Sequence, residues 1–286
     1  MKESIGILHP GEMGISIAAS ARNSGHTVFW VSEGRSPETR QRARSHSLVE
    51  THSLRELCQK CSIILSICPP HVAEEVAYQV LSHSFKGLYA DLNAISPQRA
   101  IRIGDAMAEN GVAFVDGGII GGPAWEAGET WLYLSGSQAH RIASCFSAGP
   151  LETEVIGDMI GKASALKMCY AAYTKGTTAL LCAVFGAAQG LQVRNELEHQ
   201  WNRDEPGSAE KATQRARRVT TKAWRFAGEM EEIAATFVKV GMPGGFHQAS
   251  ADVYRRLSNF KGAATIPELP EVLIALLGDD TTDRLS

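Results

Sequence analysis

The stretch from Gly6 to Gly14 constrains the fold of this chain more than any other part of it. It follows a short apolar run, contains two suitably spaced glycines and leads into an alanine-rich pattern of helical period. Such a strand, turn and helix is typical of domains that bind the pyrophosphate of a dinucleotide. Gly11 and Gly14 match the second and third glycines of the G-x-G-x-x-G fingerprint, whereas His9 stands in the first position.

A pyrophosphate needs backbone N–H groups at the N-terminus of a helix and no side chain in the way. The turn meets both needs if its first two residues line the edge of the cradle. The residues that we predict to contact the cofactor here are His9, Pro10, Gly11, Glu12, Met13 and Gly14. An ordinary strand, turn and helix, with glycines kept for packing, is the alternative.

Short apolar strands alternate with helical segments through the first half of the chain, which predicts a doubly wound, mostly parallel sheet. One short predicted strand lies near Ser47–Val49, and another covers Val112–Val115 and leads into the glycine-rich run after Asp116. Cys58 and Cys61 form a lone C-x-x-C that closes a helix, so we interpret both as buried thiols.

The second half shows helical segments only. One helical pattern runs from Ile160 to Leu191 and another from Gln214 to Val240, with a polar loop predicted at Arg203–Ala209. The predicted fold class is therefore α/β, an N-terminal Rossmann-type doubly wound sheet followed by an all-α C-terminal domain. We place the cofactor domain at residues 1–158 and a helical substrate-binding and dimerisation domain at residues 159–286.

Composition and charge argue against several classes of protein. The formal net charge of −3 gives no reason to expect nucleic acid or an anionic membrane as a partner. The apolar stretches are too short to span a bilayer, and the first strand begins at Ser4, so we expect a cytoplasmic protein without a signal peptide. The nine histidines show no metal-binding spacing, and no metal is expected.

The end of the second strand indicates which dinucleotide is bound. A carboxylate there holds the ribose 2′-OH of NAD, whereas an arginine favours the 2′-phosphate of NADP. The chain has Glu33, then Arg35 and Ser36 at the start of the next helix, whose N-terminus attracts phosphate. Arg40 follows one turn later, so we favour NADP(H) over NAD; a solvated surface loop is the structural alternative.

Further strand ends fall at the same edge of the sheet if the strands are parallel, and ligands of such sheets bind there. We predict cofactor contacts from Cys68, Pro69 and Asn93, which follow two of these strands. Gly121 and Gly122 would let a small substrate or the nicotinamide approach the backbone. Ordinary turn residues are the alternative for all of these positions.

A lysine in the first helix of the second half is a candidate for proton transfer. At helical spacing Lys167 shares one face with Tyr170, Ala171 and Thr174. Its apolar neighbours suggest partial desolvation, which would lower its pKa and suit it to acid–base chemistry. Spacing alone favours a solvated lysine.

Several motifs of residues 4–175 occur together in one known superfamily. They are Gly6–Gly14, Gly25-His26, Arg35-Ser36-Pro37, Ile95-Ser96-Pro97, Asp116 with Gly121-Gly122, and Gly161-x-Ala163-x-x-x-Lys167. In these the chain resembles the β-hydroxyacid dehydrogenases, which include hydroxyisobutyrate dehydrogenases and the cofactor domain of 6-phosphogluconate dehydrogenase. The second half resembles one branch, NAD(P)-dependent oxidoreductases with an uncharacterised helical C-terminal domain. Its motifs are Tyr173–Gly176, Arg225–Glu232 and Gly245-Phe246-His247.

The resemblance implies a hydride-transfer enzyme in which Lys167 is the catalytic proton donor or acceptor and the helical domains pair into a homodimer. Two positions depart from the superfamily: Ile120 replaces a substrate-binding serine, and Tyr170 with Ala171 replaces an asparagine. The hydroxy-acid clamp is therefore incomplete, which argues against β-hydroxyacids as substrates. Tyr170 is our candidate for the partner of Lys167 in place of the asparagine.

We expect an NADP-dependent oxidoreductase that acts on a small carbonyl or hydroxy compound. Thr174, Glu229 and His247 are candidate substrate contacts, with a surface carboxylate and a helix-capping histidine as the alternatives for the last two. An imine reductase or reductive aminase is the second hypothesis; retention of Lys167 counts against it. A non-catalytic NADPH-binding regulatory protein is the third.

Overall fold

The computed structural model describes residues 2–278. Over these residues there are eight strands and eleven α-helices; strands and helices alternate as far as β8, and only helices follow. The strands are β1 Ser4–Ile7, β2 Thr27–Val31, β3 Val49–Thr51, β4 Ile63–Ser66, β5 Leu88–Asp91, β6 Ala113–Gly121, β7 Thr130–Ser135 and β8 Leu151–Gly157. The helices are α1 Glu12–Asn23, α2 Pro37–Ser45, α3 Leu54–Lys60, α4 Ala73–Ser82, α5 Pro97–Glu109, α6 Ala139–Ser144, α7 Lys162–Gly190, α8 Arg194–Asp204, α9 Ser208–Lys239, α10 Gly245–Arg256 and α11 Leu269–Leu277.

The eight strands form one sheet in the order β3-β2-β1-β4-β5-β6-β7-β8. Strands β1 to β6 pair in parallel, β7 runs antiparallel to β6, and β8 is parallel to β7. Helices connect the parallel strands, as parallel pairing requires. The predicted doubly wound sheet, followed by an all-helical region, is confirmed.

Both faces of the sheet are covered, which explains why its central strands are apolar at consecutive positions. Along β4, Ile63 and Leu65 belong to the core on one face, with Ile15 and Ile17 of α1. Ile64 points to the other face, where the core includes residues of α3, α4 and α5.

Local predictions were wrong in three places. The third strand is Val49–Thr51, because a turn with Ser47 at φ 52° occupies the predicted position. The glycine-rich segment after Asp116 is the second half of β6, since β7 pairs with it residue by residue. The loop predicted at Arg203–Ala209 is shorter, because α8 extends to Asp204 and α9 begins at Ser208.

The chain divides into two compact units. The first ends at Met168 and the second begins at Cys169, so that α7 starts in one unit and ends in the other. Sequence patterns placed the domain boundary at residues 158/159, before this helix. Among residues 2–278, none of the helices is both long enough and apolar enough to cross a membrane.

Strand β6 packs directly against the start of α7 because glycine occupies Gly118. A Cβ atom there would lie 2.7 Å from the carbonyl oxygen of Ala163 and 3.0 Å from the Cβ of Lys167. Contacts this short do not occur without movement of the backbone or the neighbouring side chain. The glycine therefore fixes how closely the helix approaches the sheet.

We predict that Gly118→Ala lowers the free energy of unfolding by about 1–3 kcal/mol, the usual cost of an overpacked site. Gly122→Ala is the matched control, because nothing in the described chain lies within 4 Å of a Cβ added there. Urea denaturation of both variants and of the unchanged protein measures the difference. Equal stability of the two variants would show that α7 does not depend on this close approach.

Candidate active site

The glycine turn offers an open helix N-terminus at the carboxyl end of β1. Gly11 is the N-cap of α1 in an extended conformation, and no side chain of the described residues caps this helix. A Cβ on Gly11 would meet nothing within 4 Å in that part of the chain, whereas one on Gly14 would lie 2.1 Å from the carbonyl oxygen of His9. Gly14 thus closes the turn, and Gly11 leaves room in front of the first-turn amides. This arrangement fits a pyrophosphate.

His9 lines the edge of this turn as a neutral side chain. It is half-buried, and its Nδ1 atom is buried without a hydrogen-bond partner in the described structure. Burial, and then the positive charge of Arg35, lowers the pKa of His9 to about 4. The imidazole is therefore uncharged at neutral pH.

Arg35 brings a positive charge to the same turn. Its Nη2 atom donates to the carbonyl oxygen of Leu8 at 3.1 Å, and its Nε atom is buried with no partner among residues 2–278. Burial lowers the pKa of this guanidinium. Arg40 supports the loop by donating to the carbonyl oxygens of Ser32 (2.7 Å) and Arg35 (3.2 Å).

Ser36 and Glu33, the other two residues predicted to contribute to the choice of cofactor, have different surroundings. Ser36 is the N-cap of α2, and its hydroxyl accepts a hydrogen bond from the amide of Thr39 at 3.3 Å. Glu33 is exposed. The loop after β2 therefore holds a partly buried arginine beside the glycine turn and a carboxylate in solvent.

Asn93 links the ends of β4 and β5 by hydrogen bonds. The sequence predicted that the residues after these two strands lie at the same edge of the sheet. Its Oδ1 atom accepts a hydrogen bond from the amide of Cys68, and its Nδ2 atom donates to Ser66 at 3.1 Å and to Asp91 at 3.0 Å. Burial raises the pKa of the Asp91 carboxyl to about 7, although the hydrogen bonds from Asn93 oppose this shift. Pro69 follows Cys68 and precedes a single 3₁₀ turn.

The start of α7 is held by a buried carboxylate on β6. Oδ2 of Asp116 accepts hydrogen bonds from the amides of Gly161 and Ser164, both at 3.0 Å, and from the hydroxyl of Ser135 at 3.1 Å. Oδ1 accepts the hydroxyl of Ser164 at 2.5 Å. The hydroxyl of Ser135 also accepts from the amide of Ala163 at 3.1 Å. Burial raises the pKa of Asp116, and the hydrogen bonds from Ser164 oppose this shift.

Lys167 lies one helical turn beyond these contacts. It is half-buried, and its Cβ atom packs against Gly118. Asp116 pairs with Asp91, the last residue of β5, so that Gly118 lies beyond the carboxyl end of that strand. The strand pairings from β1 to β6 place the glycine turn and Lys167 at the same edge of the sheet. Tyr170 follows, 49% exposed.

Gly121 and Gly122 occupy the end of β6. Gly121 has φ 124° and faces Thr130 of β7, where a Cβ would lie 2.3 Å from the carbonyl oxygen of Glu129. Its conformation is therefore required by the hairpin-like pairing of β6 and β7. Gly122 has open space around it, and its carbonyl oxygen accepts from the Thr130 hydroxyl at 2.8 Å.

The other candidate substrate residues lie in the second unit. Glu229 is buried and forms an ion pair with Lys175, so the surface-carboxylate alternative is wrong. His247 is 5% exposed, and its ring contacts Phe237 with 4.3 Å between centroids. Its Nδ1 atom is buried without a partner in the described chain, and burial lowers its pKa. The hydroxyl of Thr174 donates to the carbonyl oxygen of Tyr170 at 3.0 Å.

The C-x-x-C is a pair of buried, free thiols, as the sequence predicted. Burial raises the pKa of Cys58 to about 11 and that of Cys61 to about 12, so both stay protonated at neutral pH. Over residues 2–278 there is no group of three or more His, Cys, Asp or Glu side chains arranged to hold a metal ion.

Residues 4–147 match the family model of the NAD binding domain of 6-phosphogluconate dehydrogenase. The chain belongs to this family. The match covers β1 to α6 and includes the glycine turn, Arg35 and Asn93. Residues 188–257 match a domain of unknown function, DUF1932. The resemblance inferred from the sequence motifs is confirmed.

One relative of this family member is an uncharacterized 28.5 kDa protein of Methanothermus fervidus, 32% identical over 165 residues. The alignment covers 58% of this chain and 63% of the relative, less than two thirds of its length.

Solved structures share the fold over nearly the whole chain. The conserved protein MTH1747, of unknown function and described as similar to 3-hydroxyacid dehydrogenases, has a TM-score of 0.66 and 29% identity; the match covers 90% of this chain and 97% of that one. The 3-hydroxyisobutyrate dehydrogenase of Mycobacterium tuberculosis has a TM-score of 0.71 and 16% identity, covering 97% and 100%. An imine reductase of Myxococcus stipitatus has a TM-score of 0.55 and 17% identity, covering 97% and 100%.

Sequence reasoning missed two parts of this member of the family. The hydrogen bonds of Asp116 and Ser135 to the start of α7 join residues far apart in the chain. Ser164, three residues after Gly161, was the one local sign of a cap at this helix. The ion pair of Lys175 with Glu229 was also missed, although both residues lie in motifs of the second half.

Proposed function

We propose that the protein is an NADP-dependent oxidoreductase that transfers hydride between NADP(H) and a small carbonyl or hydroxy compound. The observation that carries this proposal is the position of Lys167, half-buried at the sheet edge where the glycine turn also opens. Membership of an NAD-binding family supports a nicotinamide dinucleotide at this edge.

The cofactor residues follow from the geometry of the turn. The pyrophosphate would bind to the amides from Glu12 to Gly14, with His9 and Pro10 at the edge of the cradle. We assign the 2′-phosphate to Arg35, whose charge lies beside the turn and whose buried Nε atom has no partner in the described chain. Cys68, Pro69 and Asn93 would line the continuation of this site along the sheet edge.

The nicotinamide, when bound, supplies or accepts the hydride at a substrate carbon. In the reductive direction the ammonium group of Lys167 donates a proton to the carbonyl oxygen, which becomes a hydroxyl group. In the oxidative direction the neutral amine takes the hydroxyl proton as the hydride leaves. Tyr170, one turn further along α7, is our candidate for relaying this proton.

Substrate contacts are assigned to five residues. Gly122 has open space around it and Gly121 precedes it at the end of β6. Thr174, Glu229 and His247 belong to the second unit, and the unpartnered Nδ1 atom of His247 supports a polar contact there. Ile120 stands where the superfamily has serine, which argues for a substrate other than a β-hydroxyacid.

Reduction of a C=N bond is the second candidate. The absence of both the serine and the asparagine of the hydroxy-acid clamp favours it, and the fold is shared with an imine reductase. In that reaction Lys167 would donate its proton to the nitrogen. A non-catalytic NADPH-binding role is the outcome that remains if no substrate is reduced.

We expect Lys167→Ala to lower kcat by about 10²- to 10⁴-fold, the usual contribution of a general acid or base. NADPH oxidation is measured against aldehydes, keto acids and cyclic imines, and the substrates that react distinguish C=O from C=N reduction. Lys162→Ala is the control, because it removes an exposed charge from the same helix. Activity that survives in Lys167→Ala contradicts the assignment, and Tyr170→Phe tests the relay separately.

We expect Arg35→Ala to weaken NADPH binding at least tenfold and to leave NADH binding almost unchanged, since only NADPH carries the 2′-phosphate. Arg44→Ala removes an exposed positive charge from α2 and serves as the control for a general change in charge. Fluorescence titration with each dinucleotide gives the two affinities. An equal loss for both cofactors would argue that Arg35 supports the turn and does not select the phosphate.

We propose that the protein is a homodimer through its helical domain. Leu166, Tyr173 and Leu180 form an exposed stripe at seven-residue spacing on α7, with exposed fractions of 37%, 75% and 50%. A second copy of the chain would cover this apolar stripe. Size-exclusion chromatography with light scattering should give twice the mass of 30.8 kDa. A monomer of 30.8 kDa, with the same mass in the Tyr173→Glu variant, would contradict the dimer.

A further inference from the structure

The first three N–H groups of α7 all have hydrogen-bond partners, and two of these partners, Ser135 and Asp116, are bonded to each other. The amide of Lys162 donates to the carbonyl oxygen of Met159 at 3.3 Å, and that of Ala163 donates to the hydroxyl of Ser135. The amide of Ser164 donates to Asp116, which also receives the hydroxyl of Ser135. Helices normally leave these amides to solvent or to a cap within their own chain segment. Here the cap comes from the sheet.

Asp116 and Gly118 both contact the start of α7. They are two residues apart on β6 and thus face the same side, about 6.8 Å apart along the strand. Asp116 binds the turn at Gly161 and Ser164, and Gly118 contacts the turn at Ala163 and Lys167. Together the two strand positions contact the helix from its N-terminus to Lys167. The pair restricts both the height and the rotation of α7 on the sheet.

The N-terminus of α7 is a favourable position for the buried negative charge of Asp116. The N-terminus of a helix carries a partial positive charge, and a carboxylate there is stabilised by the aligned peptide dipoles and by the N–H groups themselves. Asp116 is fully buried, and both of its oxygens accept hydrogen bonds from the helix. An amide at this position would keep one acceptor and lose the charge.

We propose that Asp116 is a positioning residue for the reaction, one that fixes the first turn of α7 and thereby sets the place of Lys167 at the sheet edge. The inference rests on the proposed function, in which Lys167 transfers the proton. Displacement of a catalytic group by about 1 Å can cost about 10²-fold in rate. The carboxylate therefore acts through Lys167 and not on the substrate.

The test is a double-mutant cycle with NADPH and the panel substrate that the unchanged protein reduces fastest. We expect Asp116→Asn to lower kcat about 10-fold to 100-fold while the dissociation constant of NADPH changes less than about twofold. Because the effect passes through the lysine, Asp116→Asn should have no further effect in the Lys167→Ala background. Asp105→Asn, an exposed carboxylate on α5, is the control.

A second, milder variant keeps the positioning role testable if Asp116→Asn does not fold. Ser164→Ala removes the hydrogen bond to Oδ1 but keeps both amide bonds to Oδ2, so we expect a kcat loss of a few fold. Amide hydrogen exchange of a peptide covering residues 161–168 should speed up in Asp116→Asn, speed up less in Ser164→Ala and stay unchanged in Asp105→Asn. Exchange measures the clamp without any need for turnover.

The outcomes separate this inference from the proposed function. A loss of activity in Asp116→Asn that is equally large in the Lys167→Ala background would overturn the positioning role, as would an unchanged kcat. If the unmutated protein reduces none of the panel substrates with NADPH, the proposed function is overturned and the positioning role with it. In that case faster exchange in Asp116→Asn would still identify the carboxylate as the cap of α7.

Discussion

The carboxylate of Asp116 is the interaction on which the site most depends. It is fully buried at the end of the parallel part of the sheet, and a buried charge is tolerated only where hydrogen bonds replace its hydration. Among the described residues, its donors are Ser135 of β7, Gly161 just before α7 and Ser164 in the first turn of α7. The cost of burying the charge is therefore offset only when this helix is docked in one register. The position of Lys167 is a consequence of that requirement.

A second buried carboxylate, Asp91, is paired with Asp116 in the neighbouring strand and does a different job. Its donors come from Asn93, and through that amide it orders the backbone at Cys68 at the end of β4. Burial raises the pKa of Asp91 to about 7, and the negative charge of Asp116 contributes to this rise. Two adjacent acids thus organise two parts of one edge: Asp91 arranges the ends of β4 and β5, and Asp116 arranges the helix that bears Lys167.

Local patterns in the sequence were enough to predict most of the strands, the glycine turn and the change to helices, because each depends on residues close together in the chain. The extension of β6 past Asp116 could not be predicted in this way. Its glycines have low strand propensity, and the segment is a strand because β7 pairs with it and α7 packs on it. The same limit applies to Glu229: its burial depends on Lys175, 54 residues away. Neither partner carries a local signal for the other.

The electrostatics of the glycine turn explain why a histidine can replace its first glycine. With a pKa of about 4, His9 adds no charge to the turn, and the positive charge comes from Arg35 and from Arg42, whose Nη1 atom donates to the carbonyl oxygen of Pro10 at 3.4 Å. A bound phosphate would oppose the effect of Arg35 and raise the pKa of His9. Burial is the larger cause of the low pKa and would persist. The imidazole of His9 therefore stays neutral beside the turn at neutral pH.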